Sequence, residues 1–225
     1  MKKIILATGN PGKVREISAM LNGHYGVVSQ KEMLVEEVPE TGSSFIENAL
    51  IKARNAASQT GLPAIADDSG LEVDALGGEP GIYSARYAGE GASDEENLNK
   101  ILINMEHQDN RRAHFCCAMV FVKSAEDSNP IIVERRWKGE ILREPIGSNG
   151  FGYDPIFYLE ELDCSSAQLE PEVKNKISHR GLALNDLLKF YLNFPHLMLL
   201  LWHILQSRYQ ARHQERQPLN QNRLL

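Results

Sequence analysis

The sequence predicts an α/β fold built on a mixed β-sheet. Short apolar segments alternate with amphipathic segments of helical period, which is the pattern of parallel strands joined by helices. Later in the chain, two apolar segments follow one another across a short polar connection, which predicts an antiparallel hairpin in the same sheet. A length of 225 residues with 42% hydrophobic content is enough for one domain with a substantial core.

The first strand and the first helix are predicted at the amino-terminal end. Residues 3–7 are a continuous apolar run that ends at a glycine turn, as expected of a buried strand. Val14, Ile17 and Leu21 then recur at helical spacing, and Gly23 marks the end of that helix. The turn between the two elements is therefore a strand-to-helix junction.

A second helix, a strand and a third helix are predicted in the middle of the chain. Apolar residues line one side of residues 44–59, as in an amphipathic helix. Residues 64–70 (AIADDSG) predict a short apolar strand that ends in acids and a turn glycine. Residues 77–91 predict an ordered glycine-rich loop, after which Ser93 is suited to cap a helix over residues 94–106.

The last part of the chain contains the hairpin and a final helix. Residues 114–123 and 130–138 are its two predicted strands, and residues 156–158 (IFY) predict a further short strand. Ser178 is suited to cap the last helix. The apolar face of that helix consists of Leu184, Leu187, Leu188 and Tyr191.

Charge and cysteine usage exclude several classes of protein. The net charge of −6 gives no overall positive field to hold a polyanion, which argues against a nucleic-acid partner. Cys116, Cys117 and Cys164 are an odd number with two adjacent, which fits a reducing compartment such as the cytoplasm. The apolar run near the amino terminus is too short for a signal peptide, and residues 197–205 are too few to span a membrane.

The strand-to-helix junction is a candidate phosphate site. Backbone amides at the start of a helix and the helix dipole favour an anion there, and Lys13 adds a positive charge. It is not a Walker A loop, because Val14 stands where the magnesium-binding Ser or Thr would be. The alternative is an ordinary turn with a surface lysine. Lys52 lies on a predicted helix and has the same alternative, a solvent-exposed lysine without a role in binding. The candidate residues are Thr8, Gly9, Asn10, Pro11, Gly12 and Lys13.

Paired acids lie at the end of the apolar strand predicted over residues 64–70. Asp67 and Asp68 repel each other unless a cation or a proton intervenes, and a divalent metal is the simplest remedy. Magnesium is normally held by one or two carboxylates together with substrate phosphates. Glu40 is a third candidate ligand. An acidic turn without a metal is the alternative, and Glu36, Glu37 and Glu47 compete with Glu40.

A third group of residues predicts a pocket for a flat ring. Phe151 lies between two glycines, which let a ring approach the backbone and stack on the phenyl group. Asp154 is a hydrogen-bond acceptor for ring or sugar donors. His179 and Arg180 are donors at a predicted helix start, where cations are unfavourable unless they have a task. An aromatic turn and a surface histidine are the alternatives.

Taken together, these segments resemble the inosine triphosphate pyrophosphatase family, also called Ham1-like or non-canonical purine NTP pyrophosphatases. The matching stretches run in order from residue 2 to about residue 188, and the bacterial branch is the most similar. They are TGNPGK, ETGSSFIENALIKA, LPAIADDSGLEVDALGGEPGIYSARYAG, REPIGSNGFGYDPIF and EPEVKNKISHRGLAL.

The resemblance implies two lobes flanking a central cleft on a long, mixed, twisted sheet, and a homodimer. It implies that ITP, dITP or XTP is hydrolysed to the nucleoside monophosphate and pyrophosphate with Mg²⁺. Residues 1–193 would form this two-lobed domain, and residues 194–225 an atypical and partly disordered tail.

The resemblance also implies residue roles. Asp68 would be the general base, and Glu40, Asp67 and Asp68 would form the metal and catalytic cluster. Lys13, Lys52 and the turn from Thr8 would hold the triphosphate, and Ser69 would touch substrate. The nucleoside and base would contact Phe151, Gly152, Tyr153, Asp154, Lys174, His179 and Arg180.

Two other functions remain open on the sequence. One is a pyrophosphatase of the Maf type with another nucleotide specificity, against which the Ser178-His179-Arg180 segment counts. The other is a module that binds nucleotides without hydrolysing them, which has no use for carboxylates facing phosphates.

Overall fold

A computed structural model describes residues 3–21 and 26–190 of the chain. Of these, the residues up to 187 form one compact unit, which contains the whole site described below. The predicted tail of residues 194–225, the helix stop at Gly23 and the apolar position Tyr191 lie outside the described residues. The division of residues 1–193 into two lobes stays a prediction.

The described residues form one mixed seven-stranded sheet, which confirms the predicted fold class. The strands are Lys3–Leu6 (β1), Gly26–Ser29 (β2), Ala64–Val73 (β3), Arg112–Val122 (β4), Ile131–Ile141 (β5), Phe157–Leu159 (β6) and Cys164–Ser165 (β7). Their order in the sheet is β2-β1-β3-β4-β5-β6-β7. β1 pairs parallel with β2 and β3, whereas every later pair is antiparallel and includes the predicted β4–β5 hairpin.

Helices begin at the capping residues that the sequence indicated. The helices are Pro11–Leu21 (α1), Phe45–Thr60 (α2), Asp94–Asn104 (α3), Pro171–Ile177 (α4) and residues 179–190 (α5). Ser93 and Glu96 form a reciprocal capping box at the start of α3. Ser178 caps α5, since its Oγ accepts a hydrogen bond from the Gly181 amide at 3.2 Å. No helix in the described ranges has the length and apolar content that a membrane crossing requires.

Small and large side chains pack on opposite faces of the sheet. Alanines of α2 lie against Ala64, Ala66 and neighbouring residues of β1 and β4. Leu98, Ile101 and other apolar residues of α3 instead pack with Leu71 on the other face. Because successive strand residues point to opposite faces, the even and odd positions of β3 belong to different layers.

The prediction that a strand ends at the paired acids is wrong. β3 continues through Asp67, Asp68 and Gly70 to Val73, and every residue of that stretch pairs with β4. The strand persists because its later apolar residues Leu71 and Val73 are fully buried, so extending the pairing buries more apolar surface.

The strand that ends beside the acids is β1. β1 pairs with β3 only at Ile5↔Ala64 and Leu6↔Ile65, and the chain then turns away towards α1. Beyond Ile65, the pairings of the described residues on this edge of β3 reduce to one isolated bridge at Glu72. Side chains from both faces of β3 can therefore reach a common space beside this edge.

Candidate active site

A cavity of about 530 Å³ borders the open edge of β3. Its volume falls within the range of about 300–1,000 Å³ that is usual for small-molecule sites. Three predicted site residues, Pro11, Gly12 and Asp67, do not line it. The predicted residues that do line it are Thr8, Gly9, Asn10, Lys13, Glu40, Lys52, Asp68, Ser69, Phe151, Gly152, Tyr153, Asp154, Lys174, His179 and Arg180.

The turn before α1 does not present free helix amides, contrary to the sequence interpretation. Asn10 caps the helix, because its Oδ1 accepts from the amides of Gly12 at 2.8 Å and Lys13 at 3.1 Å. The backbone N–H of Asn10 itself donates to Thr8 Oγ1 at 3.3 Å. The groups that this turn offers an anion are therefore the Lys13 ammonium and the polar side chains of Thr8 and Asn10.

Asp67 is a buried anion held between two cations. Its Oδ2 lies 3.3 Å from Lys13 Nζ and 3.1 Å from Arg180 Nε. Burial alone would raise the pKa of Asp67, but the charges of Lys13 and Arg180 outweigh it and hold that pKa well below its usual range. Its Oδ1 is buried and finds no hydrogen-bond partner among the described residues.

Asp68 faces the other side of β3, towards α2 and the cavity. Its Oδ1 lies 2.9 Å from Lys52 Nζ, and its Oδ2 accepts from Asn48 Nδ2 at 3.3 Å. Burial raises the pKa of Asp68, and the nearby Glu40 charge acts in the same direction against the opposing lysines. Lys52 also contacts Glu40 Oε1 at 2.7 Å, so one ammonium is shared by two predicted metal ligands.

Glu16 is a site residue that the sequence interpretation missed. Its two oxygens contact Lys174 Nζ at 2.9 Å and Arg180 Nη1 at 2.5 Å. Lys174 and Arg180 are both at least 95% buried, so their positive charges are neutralised by Glu16 rather than stabilised by solvent. Burial opposes its ionisation, yet the two cations hold the pKa of Glu16 below its ordinary value. The available signal was its position three residues after Lys13, on the same side of α1.

Phe151 lies directly against the start of α1. A methyl group added to Gly12 would approach atoms of the phenyl ring to 2.6–2.8 Å, so only glycine fits there without movement. The cations of Lys174 and Arg180 lie 5.1 and 5.6 Å from the ring centroid. Asp154 fixes the segment, because its Oδ2 accepts from the Phe151 amide at 2.9 Å.

His179 is a buried neutral ring in the cavity wall. It stacks on Phe115 with a centroid separation of 4.7 Å and an interplanar angle of 10°. Burial, together with the charges of Arg180 and Lys174, lowers the pKa of His179 well below its ordinary value. Nδ1 is buried and unpartnered within the described part of the chain. The neutral side chain therefore carries one N–H donor and one acceptor rather than a positive charge.

Two further positioning residues, which the sequence interpretation did not name, are identified by their contacts. Asn48 is fully buried and joins Asp68 to the loop before α2, because its Oδ1 accepts from the Gly42 amide at 2.8 Å. Asp94 Oδ2 accepts from the Gly152 amide at 2.7 Å and thereby ties the start of α3 to the Phe151 segment. Asn48 had one sequence signal, since it precedes Lys52 by one helical turn.

The charged groups of the cavity wall are balanced. The acids are Glu37, Glu40, Asp68, Asp94 and Asp154, and the cations are Lys13, Lys52, Arg86, Lys174 and Arg180. A triphosphate therefore requires additional positive charge. Among the described residues, no group of three or more His, Cys, Asp or Glu side chains is arranged to hold a metal ion alone. Carboxylate oxygens that share a metal with substrate phosphates fit Mg²⁺, which keeps few protein ligands.

These features define an α/β protein with a candidate nucleotide site, in which cations, carboxylates and aromatic side chains line one cavity. The chain belongs to the Ham1 family, whose model matches residues 4–190.

Similar proteins match most of the chain. A protein from Vibrio cholerae named dITP/XTP pyrophosphatase is 59% identical over 192 residues, which are 84% of this chain and 96% of that protein. A protein of the same name from Photorhabdus laumondii is 55% identical over 84% of this chain and 97% of its own length. The solved structure of a HAM1 protein from Coxiella burnetii is 47% identical, with a TM-score of 0.77, over 83% of this chain and 96% of that one.

Proposed function

We propose that this chain hydrolyses non-canonical purine nucleoside triphosphates, such as ITP, dITP and XTP, to the monophosphate and pyrophosphate. One observation carries the proposal: the groups suited to a triphosphate, a hydrolytic water and a purine all line the same cavity. The names of the bacterial relatives support the same substrate class. Removing such nucleotides protects the cellular nucleotide pool.

Asp68 is the general base in this proposal. It is the aspartate of the pair that lines the cavity, and burial raises its pKa towards the range useful for accepting a proton. Lys52 and Asn48 hold its two oxygens in fixed directions. Asp68 therefore orients a water molecule towards the α-phosphorus and takes its proton. Lys13 and Lys52 stabilise the departing pyrophosphate.

Mg²⁺ would be held by Glu40 and Asp68, together with Asp67, which precedes Asp68 in the chain. When bound, Mg²⁺ neutralises phosphate charge and raises the electrophilicity of phosphorus. The unpartnered Oδ1 of Asp67 supports its assignment to this group, because a buried carboxylate oxygen normally has a partner. Lys52 lies between Glu40 and Asp68, so these two carboxylates would hold Mg²⁺ in place of contacts that they now make to the ammonium.

Discrimination against adenine is assigned to His179 and Arg180, whereas guanine carries the same 6-carbonyl as hypoxanthine. Three of the five N–H donors of Arg180 already point at Asp67, Glu16 and Ser69, which leaves one donor on each terminal nitrogen. These donors and neutral His179 pair with the 6-carbonyl of hypoxanthine or xanthine. Adenine presents an amino group there, which leaves a donor unpaired at a cost of about 1–3 kcal/mol.

The test is pyrophosphate release from ITP, ATP and GTP, each with and without Mg²⁺. The proposal requires magnesium-dependent turnover that is much faster with ITP. Equal rates on the three substrates would instead indicate an enzyme without this selectivity. A preference for other nucleotides would indicate a pyrophosphatase of the Maf type. Binding of ITP without turnover would favour a nucleotide-binding module.

The proposal includes a cytoplasmic homodimer without nucleic-acid or membrane partners. The three cysteines are free thiols, which fits a reducing compartment. The dimer rests on the family resemblance, and light scattering of the full-length chain tests it. A monomer at micromolar concentration would remove this part of the proposal.

A further inference from the structure

Arg86 differs from the other cations of the cavity wall. The others each contact at least one carboxylate that is mostly buried, as described for Lys13, Lys52, Lys174 and Arg180. In the described ranges, the ion pair of Arg86 is with Glu90, at 3.5 Å, and the Glu90 side chain is 89% exposed. Such an exposed pair contributes little, so the Arg86 charge is available to a ligand.

The backbone that carries Arg86 is held in place by buried hydrogen bonds. Ser84 Oγ accepts from the Leu71 amide of β3 at 2.9 Å, and Tyr153 Oη donates to the Ser84 carbonyl at 2.7 Å. Asn97 of α3 accepts from the Ala88 amide at 2.7 Å and donates to the Ala85 carbonyl at 3.2 Å. Residues 84–88 are therefore fixed to the sheet, to α3 and to the segment after Phe151.

The Arg86 side chain lines the same cavity as Lys13, Lys52 and Glu40, the residues assigned to the triphosphate and its metal ion. Its guanidinium also lies 5.2 Å from the centre of the Tyr83 ring, which limits its directions. A planar guanidinium on a fixed backbone is suited to bind two phosphate oxygens at once.

We propose that Arg86 binds the pyrophosphate portion of the substrate, as an anion-binding group separate from the turn at Thr8–Lys13. This inference rests on the proposed function, because it assigns a further residue to the same reaction. Arg86 contacts the leaving group while Lys174, His179 and Arg180 hold the nucleoside. Its removal therefore weakens pyrophosphate binding without weakening nucleoside monophosphate binding.

The test is calorimetric titration of the full-length protein with inorganic pyrophosphate and, separately, with inosine monophosphate, both in magnesium buffer. Arg86→Gln is expected to weaken pyrophosphate binding at least about tenfold, which corresponds to about 1.4 kcal/mol. Its affinity for inosine monophosphate stays within about twofold of wild type. Arg86→Lys keeps the charge but loses the planar fork, so it recovers part of the loss. Glu90→Gln is the matched control and leaves both affinities unchanged.

Three results would overturn the assignment. They are unchanged pyrophosphate affinity in Arg86→Gln, an equal loss for both ligands, or wild-type protein that binds no pyrophosphate. An equal loss would mean that Arg86 only supports the local structure. Because these titrations need no turnover, they are independent of the proposed reaction. Absence of ITP hydrolysis alongside selective loss of pyrophosphate binding would reject the reaction and retain the Arg86 site.

Discussion

Replacing Glu16 by glutamine tests whether the buried charge network stabilises the fold. Glu16 neutralises Lys174 and Arg180 together, and loss of one partner from a buried ion pair costs about 3–5 kcal/mol. Each cation retains a second carboxylate, since Lys174 keeps Asp154 at 2.5 Å and Arg180 keeps Asp67 at 3.1 Å. We therefore expect the lower end of that range, about 3 kcal/mol, at pH 7.

Urea unfolding is the assay, with Glu126→Gln as a control at an exposed position of the β4–β5 connection. For a denaturant slope of about 3 kcal/mol/M, a loss of 3 kcal/mol lowers the urea midpoint by about 1 M. The control should move the midpoint by no more than about 0.2 M, since surface substitutions usually change stability by under about 0.5 kcal/mol.

The effect of Glu16→Gln also has a defined pH dependence. The folded pKa of Glu16 lies below its ordinary value of 4.5, so its stabilising contribution is complete above pH 4.5. It is lost as the pH falls through the folded pKa, where the wild-type side chain takes up a proton. The difference between wild type and Glu16→Gln should therefore shrink on acidification. A difference that grows at low pH, or a midpoint equal to that of Glu126→Gln at pH 7, would refute the reasoning.

Three other predictions concern the cavity. In Gly12→Ala, the added methyl group approaches the Phe151 ring to 2.6 Å and should destabilise the protein by about 1–3 kcal/mol in thermal unfolding. The same substitution should not destabilise a Phe151→Leu variant, which lacks the ring. An equal loss of stability in both backgrounds would contradict the contact. Asp68→Asn should lower kcat by about 10²–10⁴-fold with ITP binding retained in calorimetry, whereas a wild-type rate would exclude it as general base. Asn48→Ala leaves the Gly42 amide unsatisfied, so the free energy of unfolding should fall by about 1–3 kcal/mol. It also removes a hydrogen bond to Asp68, so kcat should fall by a larger factor than KM rises. An unchanged unfolding free energy together with an unchanged kcat would show that Asn48 does not position Asp68.

The fold class was predictable from the sequence because it depends on periodicity, which is local. Apolar runs and helical spacing identify β1, α1, α2, α3 and the β4–β5 hairpin within a few residues. The short strands β2 and β7 were missed, because four and two residues are too few to establish a period.

The paired acids misled the assignment of the strand end, because charged residues inside a strand break the usual apolar alternation. Only the packing of Leu71 and Val73 on α3 and β4 explains why β3 continues. Similarly, an asparagine before a helix predicts a cap and a phosphate ligand equally well. The hydrogen bonds of Asn10 show that it caps the helix.

Residue types at the candidate site were predictable, but their partners were not. Lys13 and Asp67 are 54 positions apart in the numbering and contact each other because β1 and β3 are neighbours in the sheet. Glu16 was missed for the same reason, since its partners Lys174 and Arg180 belong to helices that lie far from it in the sequence. Such contacts arise from topology, which a single sequence determines only through the complete fold.

The pleat of β3 gives two chemically identical neighbours different surroundings. Asp67 meets Lys13 and Arg180 on one side of the sheet, and Asp68 meets Lys52 and Asn48 on the other. Deleting or inserting a single residue between Ile65 and Asp67 would exchange the two carboxyl groups while leaving the composition of the segment almost unaltered. In engineering this enzyme, the length of β3 before the aspartates must therefore be kept constant.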